Sequence, residues 1–289
     1  MNLRAIRERA RAAATVARLP LRAGAWTGAA GGVLGRGTGS SIDFQDQRHY
    51  VPGDDPRHIN WQAYARTGAY TMKLYREEVT PRIDLVIDRS GSMFLDDGKT
   101  TRVWEVTYFC IESGLQLGGH LKLHLLGRSA AEPPTEWPLE RALADEWPDR
   151  MDMPEPATLA DQVARVPLRA GSLRVLVSDL LDESPPARTV ATLTAARGRA
   201  VVLAPFAATE MEPDWAGNLD FEDAERATRS RQHVSPEALA RYRDAYRRHF
   251  AMWREECLRR GVAYARVGDA GDLLAALRGE AVTAGAIDI

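Results

Sequence analysis

Beyond Pro81 the apolar residues fall into short runs separated by helical stretches. Ile83-Asp84-Leu85-Val86-Ile87 is mostly apolar, the mark of a strand covered on both faces. Leu121 to Leu126, Leu173 to Ser178, Ala200 to Phe206 and Val262 to Val267 read as further strands, and Thr135 to Leu139 as a short edge strand. Arg102 to Leu117 has helical spacing with two stripes: Val103, Val106, Cys110 and Leu117, then Trp104, Tyr108, Ile111 and Leu115. A helix apolar on two sides is covered on two sides. Pro185 to Arg197 reads as a helix stopped by Gly198, and Asp272 to Arg278 as the last helix. The clearest helix start is Ser235-Pro236-Glu237, where serine caps, proline opens and glutamate meets the helix dipole. That helix is expected to reach Arg260 and stop at Gly261, with Leu239, Tyr242, Tyr246, Phe250, Trp253 and Cys257 facing the core. Alternating strands and helices over residues 81–289 imply an α/β domain with a mainly parallel sheet flanked by helices.

Residues 1–80 lack this rhythm and read as an N-terminal extension. Arg4, Arg7, Arg9, Arg11 and Arg18 alternate with alanine and leucine, which suits a solvated helix or a frayed terminus. The glycine-rich stretch Gly28 to Gly39 has no strand before it and no helix after it, so it reads as a flexible connection rather than a phosphate loop. Asp55-Pro56 looks like a capped helix start running to Arg66 and closed by Gly68, and Tyr70 to Glu78 alternates like a half-buried strand.

Composition narrows the function classes. The chain has 289 residues, 45% hydrophobic and 27% charged, with a formal net charge of -2. That balance supplies no global pull toward nucleic acid or anionic membrane. Cys110 and Cys257 sit in apolar helical patterns, so both read as buried core residues and a disulfide scaffold is not expected. No secretory signal and no run near the ~18 apolar residues of a membrane span is visible, so a cytoplasmic protein with no transmembrane segment is expected. His120 and His124 bracket a strand, which does not suit a metal pair.

In open α/β sheets ligands bind beyond the carboxyl ends of strands. Two carboxylates sit there: Asp88 after Leu85-Val86-Ile87, and Asp179 after Val175-Leu176-Val177-Ser178. Asp88-Arg89-Ser90-Gly91-Ser92 presents a carboxylate and two hydroxyls from one turn, with Gly91 permitting the bend. These are hard oxygen donors that suit Mg²⁺, Mn²⁺ or Ca²⁺. If one carboxylate binds directly, the ion keeps positive charge and can accept an Asp or Glu side chain from a partner. Enzyme frames fit less well. A phosphohydrolase of the haloacid dehalogenase type wants a second acid where Ser90 stands. Neither serine lies in Gly-x-Ser-x-Gly, and Gly98-Lys99-Thr100 lacks the earlier glycine of a P-loop, where Met93 stands. A protein that binds rather than catalyses is expected. A metal-dependent phosphoester hydrolase and a peripheral membrane-surface protein are the alternatives.

Asp88-x-Ser90-x-Ser92 resembles the metal-ion-dependent adhesion site of von Willebrand factor A-like domains, a Rossmann-like fold. The resemblance implies a Mg²⁺ site completed by a threonine and a further aspartate. Thr158, opening a short helix in Pro156-Ala157-Thr158-Leu159-Ala160, resembles the threonine, with Thr135 or Ser172 as competitors; Asp179 resembles the aspartate, with Asp182 as its rival. Tyr50-Val51-Pro52-Gly53-Asp54-Asp55-Pro56-Arg57-His58-Ile59-Asn60-Trp61 and Met72-Lys73-Leu74-Tyr75-Arg76-Glu77-Glu78 resemble hallmarks of the bacterial domain-of-unknown-function family fifty-eight. That resemblance runs from about Leu19 to the C-terminal helix. It implies a von Willebrand factor A-like domain with a family-specific N-terminal extension, working with a MoxR-type AAA+ ATPase in protein assembly or maturation. Many members carry two N-terminal membrane helices, which this sequence lacks.

Overall fold

The computed structural model describes residues 1–21, 44–75, 80–127, 129–148, 158–224 and 228–289. The glycine-rich stretch, the expected strand residues after Tyr75 and the Pro156-Ala157 pair lie outside the described residues. Contacts divide the chain into a larger unit, residues 1–20 and 82–289, and a smaller one, residues 21–81.

The larger unit opens with α1 (Leu3–Val16), capped by the Asn2 side chain. In the smaller unit, β1 (Phe44–His49) pairs antiparallel with β2 (Thr71–Tyr75), and α2 (Trp61–Thr67) lies between them in sequence. The single helix expected from Asp55 to Arg66 is two pieces, a 3₁₀ turn over Pro56–His58 and then α2. The cause is a strand-like interruption: Ile59 forms a β-bridge with Met72, and Asn60 N–H donates to the Thr71 carbonyl at 2.7 Å. Asp55 caps the 3₁₀ turn as expected, and Gly68 closes α2 with a left-handed φ of 69°. Asp54 accepts two hydrogen bonds from the Arg48 guanidinium, at 2.6 and 2.7 Å.

The larger unit continues through β3 (Arg82–Ile87), α3 (Asp97–Gln116), β4 (His120–Leu125), β5 (Thr135–Trp137), α4 (Leu139–Leu143), α5 (Leu159–Ala164), β6 (Leu173–Val177), α6 (Pro186–Thr194), β7 (Arg199–Phe206) and α7 (Ala208–Met211). A hairpin of β8 (Gly217–Glu222) and β9 (Arg229–Val234) precedes α8 (Pro236–Arg259), β10 (Ala263–Gly268) and α9 (Leu273–Thr283). The central sheet has six strands in the order β10-β7-β6-β3-β4-β5, parallel except for the antiparallel edge β5. The architecture is a mixed α/β fold around a mostly parallel sheet, with β3 and β6 neighbours at its centre.

α3 is buried nearly all round because it is sandwiched. Gly114 lets it approach the sheet; a Cβ there would come within 2.8 Å of Leu121 Cδ1. Its other side is covered by α1, so the expectation of a solvated or frayed N-terminus is corrected. Ile6, Ala10, Ala13 and Ala14 form a thin apolar stripe whose small side chains permit close helix approach. The arginines read as solvating pair across this interface: Arg7 Nε donates to Glu112 at 2.8 Å and Arg9 Nε to Glu105 at 2.9 Å. Arg18 and Asp288 exchange backbone hydrogen bonds, which fasten the end of this segment to the end of the sheet unit.

On α8 the expected stripe docks through Tyr246, Phe250, Trp253 and Cys257, with Tyr242 partly covered. Ser235 Oγ accepts the Ala238 N–H at 3.2 Å, as its cap role requires. Ser235→Ala is expected to cost about 1 kcal/mol in urea denaturation; an unchanged midpoint would contradict that role. Both cysteines are buried and unlinked, and burial pushes the Cys257 thiol up to about 12 and the Cys110 thiol further. Among the described residues no helix is long and apolar enough to cross a membrane.

Candidate functional site

The site lies where β3 and β6 end side by side. Ile87 and Val177 are register partners, and Asp88 N–H donates to the Val177 carbonyl at 2.9 Å. This pairing carries Asp88 and Asp179 to one edge, as their positions after neighbouring strands suggested. The Asp88 carboxylate folds back over its own turn: Oδ1 accepts the Ser90 N–H at 2.8 Å. Its Oδ2 accepts the Ser178 hydroxyl at 2.6 Å, and that hydroxyl accepts the Leu180 N–H at 3.1 Å. Ser90 then stands at the N-cap position of a 3₁₀ turn over Gly91–Phe94 that buries Ser92 and Met93. The Ser90 and Ser92 hydroxyl oxygens are 3.2 Å apart.

Asp179 is fixed equally tightly. Its N–H donates to the Met93 thioether at 3.0 Å, and its Oδ1 accepts the Leu181 N–H at 3.1 Å. Leu180, fully buried, has a φ of 62°. That left-handed conformation costs a non-glycine residue roughly 1–2 kcal/mol. His249 on α8 holds the strained residue by donating from Nε2 to its carbonyl at 2.7 Å.

Asp179 Oδ2 accepts from Lys99 Nζ at 2.7 Å, and the same ammonium reaches Glu210 Oε1 at 2.5 Å. Lys99 lies in the first turn of α3, which begins at Asp97 rather than Arg102 because Asp96 caps it by accepting the Lys99 N–H. Glu210, on α7, also accepts the Ala207 N–H at 3.0 Å. Lys99, Glu210 and Ser178 were not among the sequence-derived candidates. Ser178 had a local signal, a hydroxyl ending an apolar strand; Lys99 and Glu210 meet over 111 positions, a juxtaposition no local pattern encodes.

Burial, followed by the nearby charge of Asp179, pushes the Asp88 carboxyl up to about 6. Hydrogen bonds from Ser178 and Ser90 restrain the rise. Burial also raises the Glu210 carboxyl, against the opposing pull of Lys99.

Asp88, Ser90, Ser92 and Asp179 are thus brought together. Thr158 is placed as the cap of α5, and its hydroxyl bonds run to Asp161: it accepts the Asp161 N–H at 3.2 Å and donates to Oδ2 at 2.8 Å. Its tie to the Asp179 loop is indirect, through Leu159 N–H donating to Asp182 Oδ2 at 3.0 Å. The competitors are occupied or exposed: Ser172 donates to Asp84 at 2.6 Å near the start of β6, and Thr135 lies exposed on β5. Asp182 is engaged by Leu159 and by both the N–H and the hydroxyl of Ser184.

The donors fit a small hard cation. The Asp88 carboxylate bonds to Ser90, whose hydroxyl is hydrogen-bonded to that of Ser92 at 3.2 Å, a spacing near the ~3 Å edge of an octahedron with ~2.1 Å metal–oxygen bonds. Among the described residues no three His, Cys, Asp or Glu side chains are grouped to hold a metal. Beside the loop lies an apolar cavity of about 290 Å³, whose walls include Ile87, Phe94, Val103, Trp104 and Trp147.

The family model for "Protein of unknown function DUF58" matches residues 46–255. The chain belongs to this family. The match covers the hallmark segments Tyr50 to Trp61 and Met72 to Glu78 and the whole Asp88–Asp179 site of this DUF58 chain. No curated protein matches the sequence significantly. Similar solved structures include an aerotolerance-related membrane protein from Bacteroides fragilis, 12% identical, covering 70% of this chain and 99% of that one with a TM-score of 0.36. The conserved hypothetical protein BatB from Bacteroides thetaiotaomicron is 8% identical, with 71% and 98% coverage and a TM-score of 0.38.

Proposed function

We propose that this DUF58 protein is a von Willebrand factor A-like, divalent-cation-dependent interaction module, acting by binding rather than by catalysis. Asp88, Ser90 and Ser92 would hold Mg²⁺, or Mn²⁺ or Ca²⁺, with Asp179 adding charge and Thr158 lying in the outer part of the site. The observation that carries this reading is a buried carboxylate beside a second carboxylate, on a turn that also carries two hydrogen-bonded hydroxyls, with its carboxyl raised to about 6. An ion relieves that repulsion. Neutral hydroxyl donors leave it charge with which to accept an Asp or Glu from a partner protein. A MoxR-type AAA+ ATPase, in protein assembly or maturation in the cytoplasm, is the partner the family resemblance proposes.

Titration calorimetry with MgCl₂ is expected to give a heat that the Ser90→Ala/Ser92→Ala double variant weakens by about tenfold or more, since each neutral donor lost is replaced by water. Affinity capture is expected to retain a MoxR-type ATPase with Mg²⁺ and to release it in EDTA. Equal heats from both proteins would exclude the two serines as donors, and metal-independent capture would exclude cation bridging.

A further inference from the structure

We propose that Lys99 is a built-in counter-cation that withholds Asp179 from a bound divalent ion, weakening ion binding while keeping the ion's charge available to a carboxylate ligand. This rests on the cation site proposed above.

Lys99 is fully buried, which is rare for lysine and costly unless the ammonium is paired. It also sits in the first turn of α3, where the helix dipole disfavours a cation. Both burdens are met by two carboxylates, Asp179 at 2.7 Å and Glu210 at 2.5 Å. Glu210 is itself anchored by the Ala207 N–H, so Lys99 keeps a fixed second partner if Asp179 turns toward an ion. Lys99 with Glu210 is a neutral pair beside Asp179, so Asp179 and the nearby Asp88 supply two negative charges, the complement of a single divalent ion. Without Lys99 the cluster would hold the ion more strongly and leave it over-neutralised toward any incoming carboxylate. Without the charge of Glu210, the ammonium would bind Asp179 alone and compete harder with the ion.

A purely structural clamp between α3, β6 and α7 makes a different forecast, since loosening it weakens every binding step together. The test uses the full chain, Mn²⁺ alone as the first probe, and a Gly-Asp-Gly peptide on the Mn²⁺-saturated protein as the second, all by calorimetry. Lys99→Met is expected to tighten Mn²⁺ binding about tenfold and to weaken the peptide by a similar factor, and Glu210→Gln to weaken Mn²⁺ about tenfold. Glu210→Gln is nearly isosteric and, if Lys99→Met does not fold, decides the matter through the peptide: the Mn²⁺-saturated variant is expected to bind it at least as tightly as the wild type, whereas a loosened clamp binds it more weakly. Mn²⁺ binding by the wild type that is unchanged in Glu210→Gln, or weakened in a folded Lys99→Met, overturns the role of Lys99 and leaves the cation site standing. Absence of Mn²⁺ binding by the wild type and both variants overturns the site and this inference with it.

Discussion

Asp88→Asn is expected to raise the stability of the metal-free protein at pH 7.5 and to abolish its response to divalent cations. The Asp88 carboxyl is raised from 3.8 to about 6, first by burial and then by Asp179. Relative to the unfolded chain, the folded state therefore holds this proton too tightly. The associated stability is full below pH 4 and lost as pH rises through about 6. At pH 7.5 the ionised group is a standing cost of roughly 1–3 kcal/mol. Asparagine keeps an oxygen for the Ser90 N–H and carries no charge, so it removes most of that cost. The gain should fade as pH is lowered toward 4. Mg²⁺ should raise the melting temperature of the wild type and leave Asp88→Asn unmoved. A variant that melts below wild type at pH 7.5 without metal would contradict the burial argument.

Asp84→Ala is expected to be the most damaging single substitution, at about 3–5 kcal/mol, because it breaks a buried ion cluster and leaves its partners stranded. Asp84 is fully buried on β3, four residues before Asp88. Its oxygens accept from Arg169 Nε at 2.7 Å, Arg169 N–H at 2.9 Å and Ser172 Oγ at 2.6 Å, while the buried His124 imidazole faces it at 3.7 Å. Burial alone would raise its carboxyl, but His124, Ser172 and Arg169 together outweigh it and hold the group at about 2. That stability is present above pH 4 and is lost as pH falls through about 2. Urea unfolding at pH 7 should show the full loss, and the gap between wild type and variant should narrow by pH 2. A loss below ~1 kcal/mol at pH 7 would show that the cluster contributes little.

The strands around the site were legible because both faces are buried, so β3, β4, β6, β7 and β10 announce themselves as apolar runs. The β8–β9 hairpin was not, since its residues are half-buried or exposed and carry no sustained apolar signal. α1 was misread because an alanine stripe looks too thin to bury, although small side chains are what let it lie close on α3. The break at Ile59 was hidden because the bridge to Met72 that causes it is non-local. At the site, Asp88, Ser90, Ser92 and Asp179 were readable from strand ends and spacing. Thr158 was rightly placed at a helix start, but its hydroxyl turns to Asp161. The reach of Lys99 to Asp179 depends on how α3 docks, which spacing does not encode.

The bridge between Arg18 and Asp288 bears on biosynthesis. Arg18 is made about 270 residues before its backbone partner Asp288, and residues 21–81 are made in the interval. α1 must therefore wait with its alanine stripe uncovered, or settle on α3 once residue 116 has emerged and be fastened later. A nascent chain arrested before Asp288 should be more sensitive to protease near Leu19 than the released protein.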